Sequence, residues 1–191
     1  HLEKGAANAR RGRMVPPYDT AATLALLERS IALFEPDIVV SLGDSFDDRV
    51  GSEHMLPLFR DHLSALMRGR DWVWVSGNHD PEPPRGLGGV SAAEIAVGPL
   101  LFRHEPSRKA APGEVAGHLH PGARIVQRGR SVRRRCFATD GDRLVMPAYG
   151  AYTGALSLLD RAFAGLFREE TLVAFMLGAE RLYPVPHARL A

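Results

Sequence analysis

The sequence predicts an α/β fold in which β-sheet layers are flanked by helices, within a single domain spanning residues 1–191. Two observations support this prediction. Apolar residues in the first half follow helix and strand patterns in alternation, whereas the second half contains mainly short strand-like runs separated by turn residues. A chain of this length fits one domain that buries roughly two-thirds of its unfolded surface.

Two helices and two strands are predicted in the first half. Apolar residues recur at three- and four-residue spacing over residues 20–34, with Asp19 as the expected N-cap, and again over residues 57–68. Each helix is followed by consecutive apolar residues, at 37–42 and 72–75, which indicate strands buried on both faces.

The second half is predicted to be mainly β. One further helix is expected at residues 160–167. Strands are expected near residues 93–97, 100–103, 114–116, 124–127, 132–139, 143–146, 172–176 and 181–183.

Composition excludes several classes of protein. The longest apolar stretch, residues 171–179, is far shorter than the about 18–20 residues that span a bilayer. Cys136 is the only cysteine, which excludes an intramolecular disulfide and a Cys-based zinc site and favours a reducing compartment. We therefore expect a cytoplasmic protein.

Both predicted strands of the first half end in segments rich in metal-binding side chains. Gly43-Asp44 follows one strand and Gly77-Asn78-His79-Asp80 follows the other. Open α/β sheets place ligand sites just beyond the carboxyl ends of their strands, so we expect the two segments to share one site. Carboxylate, amide oxygen and imidazole together suit Mn²⁺, Fe or Zn²⁺ rather than Ca²⁺.

Histidines extend this candidate ligand set. They are His1, His104 and the pair His118 and His120, which we expect on one face of a strand. Taken singly, a Gly-Asp pair is more typical of a turn, and a lone histidine of an ordinary core or surface position. The ordered combination, each motif beside a predicted strand, favours a metal site.

These ordered motifs resemble those of the calcineurin-like metallophosphoesterases: Asp-x-His, Gly-Asp-x-x-Asp/His, Gly-Asn-His-Asp/Glu, a solitary His and Gly-His-x-His. Four further segments are similar to a small bacterial subfamily of DNA-damage-response endonucleases associated with a DNA ligase and a DEXH helicase. They are His1-Leu-Glu-Lys-Gly, Trp72-Val-Trp-Val, Arg133-Arg-Arg-Cys-Phe and Ala148-Tyr-Gly-Ala-Tyr-Thr-Gly.

The resemblance implies a metallophosphoesterase-type sandwich of two β-sheets flanked by helices, with two divalent metal ions, Mn²⁺ being expected and Fe or Zn²⁺ the alternatives. Six residues would bind them: Asp44 as the bridge, His1 and His120 on the first metal, and Asn78, His104 and His118 on the second. His79 would protonate the leaving oxygen, and Asp80 would orient its ring.

One departure concerns the first motif, whose Asp lies two residues before the His, whereas this sequence begins at His1. We therefore expect an N-terminally truncated chain that lacks the first strand, retains the second metal site and binds the first metal weakly. Asp47 follows the Gly43-Asp44 motif, and two alternatives stay open for it: a role in that motif, or a solvated turn carboxylate or helix N-cap.

Arginines cluster on a predicted hairpin after the Gly-His-Leu-His motif. The candidate nucleic-acid-binding residues are Arg128, Arg130, Arg133, Arg134 and Arg135, with Arg124 nearby. The guanidinium fork suits phosphate oxygens. The alternative is a solvated strand face in an arginine-rich chain.

Three functions remain open on the sequence. The first, favoured by the arginines and the subfamily resemblance, is a DNA repair endonuclease that hydrolyses phosphodiesters by a two-metal mechanism. The second is a phosphodiesterase or phosphomonoesterase for small nucleotides. The third is a non-catalytic binding module.

Overall fold

The computed structural model describes residues 1–109 and 111–191. Their contacts separate into two compact units: unit 1 comprises residues 1–94 and 149–153, and unit 2 comprises residues 95–148 and 154–191. The described residues form a mixed α/β fold with two sheets and few helices, which confirms the predicted fold class. The single domain stays a prediction.

Unit 1 contains a small parallel sheet and the helices of the fold. Its helices are α1 (Lys4–Arg10), α2 (Asp19–Phe34), α3 (Gly51–His54) and α4 (Pro57–Met67). Its strands are β1 (Ile38–Ser41), β2 (Asp71–Val75) and β3 (Val90–Ala92), in the order β1-β2-β3. Helices α2 and α4 bury Leu24 and Leu63 in a core shared with Trp72 and Trp74 of β2.

The central and edge strands of this sheet differ in burial. Residues 72–75 of β2 are all buried, as predicted. In contrast, no residue of β1 is fully buried, so the prediction of a strand buried on both faces is wrong there. Among the described residues β1 pairs only with β2, and an edge strand leaves part of its surface in contact with solvent.

The predicted N-cap of α2 is also wrong. Asp19 is the first residue of the helix and makes no cap hydrogen bond. Its buried carboxylate instead accepts the backbone N–H of Gly5 at 3.0 Å. Thr20 accepts the N–H of Glu3 at 2.9 Å, so the first turn of α2 satisfies donors at the start of α1.

Unit 2 is mainly β. Its strands are β4 (Glu94–Val97), β5 (Leu100–Arg103), β6 (Glu114–Ala116), β7 (Pro121–Gln127), β8 (Arg130–Thr139), β9 (Arg143–Val145), β10 (Leu156–Ser157), β11 (Val173–Leu177) and β12 (Leu182–Pro186). The sheet order is β10-β7-β8-β9-β6-β5-β4, and β11 pairs with both β8 and β12. Strands β5, β6 and β9 run parallel, so their carboxyl ends lie at one edge.

The helix predicted at residues 160–167 is wrong. The segment forms a single 3-10 turn, Arg161–Phe163, in which Asp160 accepts the N–H of Ala162 at 2.9 Å. Gly165 adopts a left-handed φ of 72°, which ends any helical path, and the apolar residues pack into the core of unit 2 instead. Within residues 1–109 and 111–191, no helix combines the length and hydrophobicity needed to cross a membrane.

Candidate metal centre

Asp44 lies just beyond the carboxyl end of β1 in a constrained position. It is 4% exposed, and its φ of 49° is left-handed, which costs a non-glycine residue about 1–2 kcal/mol. Its Oδ1 accepts the backbone N–H of His79 at 2.8 Å. The loop after β2 therefore fixes the orientation of this carboxylate.

Gly77 permits the close approach of these two loops. A Cβ at this position would collide with the backbone nitrogen and Oδ1 of Asp44, and with Oδ1 of Asp80. The glycine is thus required for contact with the Asp44 carboxylate, rather than for a left-handed turn of its own.

His79, the predicted proton donor, and Asp80, predicted to orient its ring, have separate partners. The Nδ1 atom of His79 lies 3.1 Å from the carbonyl oxygen of Asp47. The carboxylate of Asp80 accepts the N–H of Phe46 at 3.0 Å. Burial raises the pKa of Asp80 to about 6. The hydrogen bond from Phe46 lowers this pKa, whereas the negative charge of Asp44 raises it further. That Asp80 orients the His79 ring stays a prediction.

His1 lies beside the same loop. The backbone N–H of Leu2 donates to Ser45 at 2.7 Å, and that of Asp47 donates back to Leu2 at 3.1 Å. The side chain of His1 is 6% exposed, with Nδ1 3.7 Å from Oδ1 of Asp47. Its ring meets that of His79 edge-on at 6.3 Å. Asn78, in contrast, is exposed.

In unit 2, the structure brings His104 and His118 together. They follow the carboxyl ends of β5 and β6, and Nδ1 of His118 lies 3.1 Å from Nε2 of His104. The rings are 4.9 Å apart at 73°. Two imidazole nitrogens converging on one point are a pair of donors that suits a divalent transition metal.

The prediction that His118 and His120 share one face of a strand is wrong. Both lie in the loop between β6 and β7, with left-handed φ values of 60° and 47°. Non-glycine residues rarely adopt this strained conformation, and those that do are often found at functional sites. His118 therefore contacts His104 from a left-handed loop position and not from a regular strand.

The candidate nucleic-acid-binding arginines divide between the faces of one hairpin. Strand register pairs Arg124 with Arg133 and places Arg135 on the same face, opposite the face that buries Cys136 and Ala123. We call Arg124, Arg133 and Arg135 the outer stripe. Arg130 and Arg134 lie on the other face, and Arg128 lies in the hairpin turn.

The family of the chain is shown by a match to the family model described as calcineurin-like phosphoesterase. The match covers residues 17–142, well over half of the chain, and includes every candidate metal ligand except His1. The chain is a calcineurin-like phosphoesterase. The predicted family and the prediction of a hydrolytic enzyme are thereby confirmed.

One solved structure similar to this phosphoesterase is the crystal structure of Pseudomonas putida nuclease MPE. The two chains are 26% identical, with a TM-score of 0.64, and the match covers 87% of this phosphoesterase and 78% of the nuclease. No curated protein matches the phosphoesterase.

The donors present fit the metal ions that this family binds. Oxygen from Asp44 is fixed in orientation within unit 1, and imidazole nitrogens converge within unit 2. Each is a kind of donor that a divalent transition metal such as Mn²⁺, Fe or Zn²⁺ accepts. The residues of the phosphoesterase therefore support metal binding, as the sequence predicted.

The interpretation of Asp47 as a solvated turn carboxylate is wrong. Asp47 is 2% exposed, so it is not a solvated turn carboxylate. Lys4 contacts its Oδ1 at 2.7 Å and Arg11 contacts its Oδ2 at 3.1 Å. Asp47 occupies the last position of the Gly-Asp-x-x-Asp/His pattern. That position was the signal in the sequence against an ordinary turn carboxylate.

Proposed function

We propose that this phosphoesterase hydrolyses phosphodiester bonds in DNA with the help of two divalent metal ions, Mn²⁺ being the expected metal. The observation that supports this most directly is the similarity to a solved nuclease over 87% of the chain. Family membership supports phosphoester hydrolysis, and the nuclease similarity favours a polynucleotide over a phosphomonoester.

The proposed ligands are those implied by the sequence motifs. They are His1, Asp44, Asn78, His104, His118 and His120. The metal ions, when bound, would neutralise charge on the phosphate and lower the pKa of a water molecule. His79 would donate a proton to the departing oxygen from the imidazole nitrogen that does not contact Asp47.

The outer stripe supports a polyanionic substrate. Arg124 and Arg133 lie directly opposite each other across two strands, and like charges in that position are destabilising. The backbone carbonyls of Ala191 and Ala155 accept hydrogen bonds from the guanidinium groups of Arg124 and Arg133, respectively. These bonds restrain both arginine side chains. A phosphate backbone would offset the repulsion and release counterions.

The test is cleavage of closed-circular single-stranded DNA in the presence of Mn²⁺, with Asp44→Asn as the variant. Removing the charge of the proposed bridging ligand should lower the rate by on the order of 10² or more. Nicking by the wild type and not by Asp44→Asn would support the proposal. Turnover of Asp44→Asn at the wild-type rate would contradict the assignment of Asp44 as a metal ligand.

Absence of nicking by the wild type would instead favour the alternative substrate class, small nucleotide diesters. The subfamily resemblance also supports a role in DNA repair and association with a DNA ligase and a DEXH helicase. The single cysteine, Cys136, supports a cytoplasmic location.

A further inference from the structure

The carbonyl oxygen of Asp47 accepts from two side chains at once. One is Nδ1 of His79, at 3.1 Å. The other is Nη2 of Arg11, at 3.0 Å. A carbonyl oxygen has two lone pairs and no proton to give, so a hydrogen bond to His79 requires a hydrogen on Nδ1. This contact leaves Nε2 as the nitrogen that can face a substrate.

Arg11 is held to this carbonyl by a second contact on the same residue. Its Nη1 lies 3.1 Å from Oδ2 of Asp47, while Lys4 donates to Oδ1 at 2.7 Å. One guanidinium therefore spans the carboxylate and the carbonyl of a single residue. Since Asp47 is 2% exposed, this fork fixes a buried peptide group and not only a surface charge.

We propose that Arg11 is a positioning residue for the reaction, acting on His79 through the carbonyl of Asp47. Without the guanidinium, the carbonyl of Asp47 loses one of its two side-chain donors, and the contact that orients the His79 ring, with Nε2 as the donating nitrogen of the imidazolium, is weakened. This inference rests on the proposed function, in which His79 protonates the leaving oxygen.

Arg10 provides a matched control on the neighbouring residue. It also forms a two-nitrogen contact with a carboxylate, through Nε and Nη2 at 3.0 and 2.7 Å from Oδ2 of Asp48. Removing Arg10 deletes the same charge and a similar ion pair without touching the carbonyl of Asp47. Exposed pairs of this kind contribute little to stability.

The experiment compares two small diesters that differ in leaving group. The p-nitrophenyl ester of thymidine monophosphate releases a leaving group that departs without a proton, whereas thymidylyl-thymidine releases an alkoxide that requires one. Arg11→Ala should lower kcat for the dinucleotide about tenfold or more and leave the p-nitrophenyl ester within about twofold. Arg10→Ala should leave both within about twofold. Arg11→Lys should restore only part of the loss, because an ammonium lacks the fork.

A second measurement separates this inference from the proposed function. His79→Ala should show the same leaving-group dependence, and Arg11→Ala should add no further loss in the His79→Ala background. Equal losses on both substrates for Arg11→Ala, or additive losses in the double variant, would overturn the role of Arg11 while leaving His79 as the acid. If His79→Ala itself treats both substrates alike, the proposed role of His79 fails, and the inference fails with it.

Discussion

At the scale of single residues, Gly77 offers a direct test of how the loops of unit 1 fix the Asp44 carboxylate. In Gly77→Ala the new Cβ meets backbone and carboxylate atoms of Asp44, so one of the two loops must move. Overpacking of this kind costs about 1–3 kcal/mol. A displacement of about 1 Å at a catalytic group can cost on the order of 10² in rate.

We therefore expect Gly77→Ala to lower both the melting temperature and the affinity for Mn²⁺, measured by thermal denaturation and titration calorimetry. Gly88→Ala is the matched control, because a Cβ at Gly88 meets only the Cε atom of Met67, at an ordinary 3.9 Å. Unchanged Mn²⁺ affinity in Gly77→Ala would contradict the placement of Asp44 at a metal site.

At the scale of elements, the turn between β8 and β9 depends on one carboxylate. Oδ1 of Asp140 accepts the N–H groups of Asp142 and Arg143 at 3.1 and 3.2 Å, and Oδ2 accepts that of Arg168 at 3.0 Å. Burial alone would raise the pKa of Asp140, but these backbone donors outweigh it and lower the pKa. The ionised carboxylate thus ties the turn to the segment before β11.

Asp140→Asn should lower the free energy of unfolding by about 1–3 kcal/mol at neutral pH. Folding lowers the pKa of Asp140. Its contribution to the free energy of unfolding is therefore present above the ordinary pKa of an aspartate and is lost as pH falls toward the lower pKa of the folded state. Urea unfolding at neutral pH and at about pH 3 should show a smaller difference between wild type and variant in acid. Asp142→Asn is the control: its half-exposed carboxylate pairs with the Arg168 side chain at 3.1 Å, and the substitution should change stability by less than about 1 kcal/mol. A difference that grows in acid would contradict this account.

The elements also show how far sequence patterns reach. Long periodic or continuous apolar runs located α2, α4 and β2 to within a residue or two, because burial of those residues imposes the pattern. The seven-residue α1 has no such pattern, since contacts from α2 stabilise its start. The motifs placed Asp44 and His104 after strands, but the burial of Asp47 depends on side chains 36 and 43 residues earlier in the chain. Local spacing cannot show contacts of that range.

At the scale of the whole molecule, charge decides how DNA binding should respond to salt. The net charge is only +2, so general attraction for a polyanion is weak and affinity must come from local clusters. The three arginines of the outer stripe would neutralise about three phosphates. For single-stranded DNA this predicts that log Kd rises with log salt concentration with a slope of about 2.

Replacing Arg124 and Arg133 by Gln should reduce that slope by about 1.4 and weaken binding of single-stranded DNA, measured by fluorescence anisotropy across a salt series. Hydrolysis of a small p-nitrophenyl diester should remain within about twofold, because so small a substrate spans too few phosphates to reach the stripe.

Replacing Arg130 and Arg134, which lie on the other face of the same hairpin, removes the same charge and should change the slope less. Equal slopes in the two double variants would mean that net charge, and not the outer stripe, determines binding. Loss of small-diester hydrolysis in the first variant would place these arginines in the catalytic site itself.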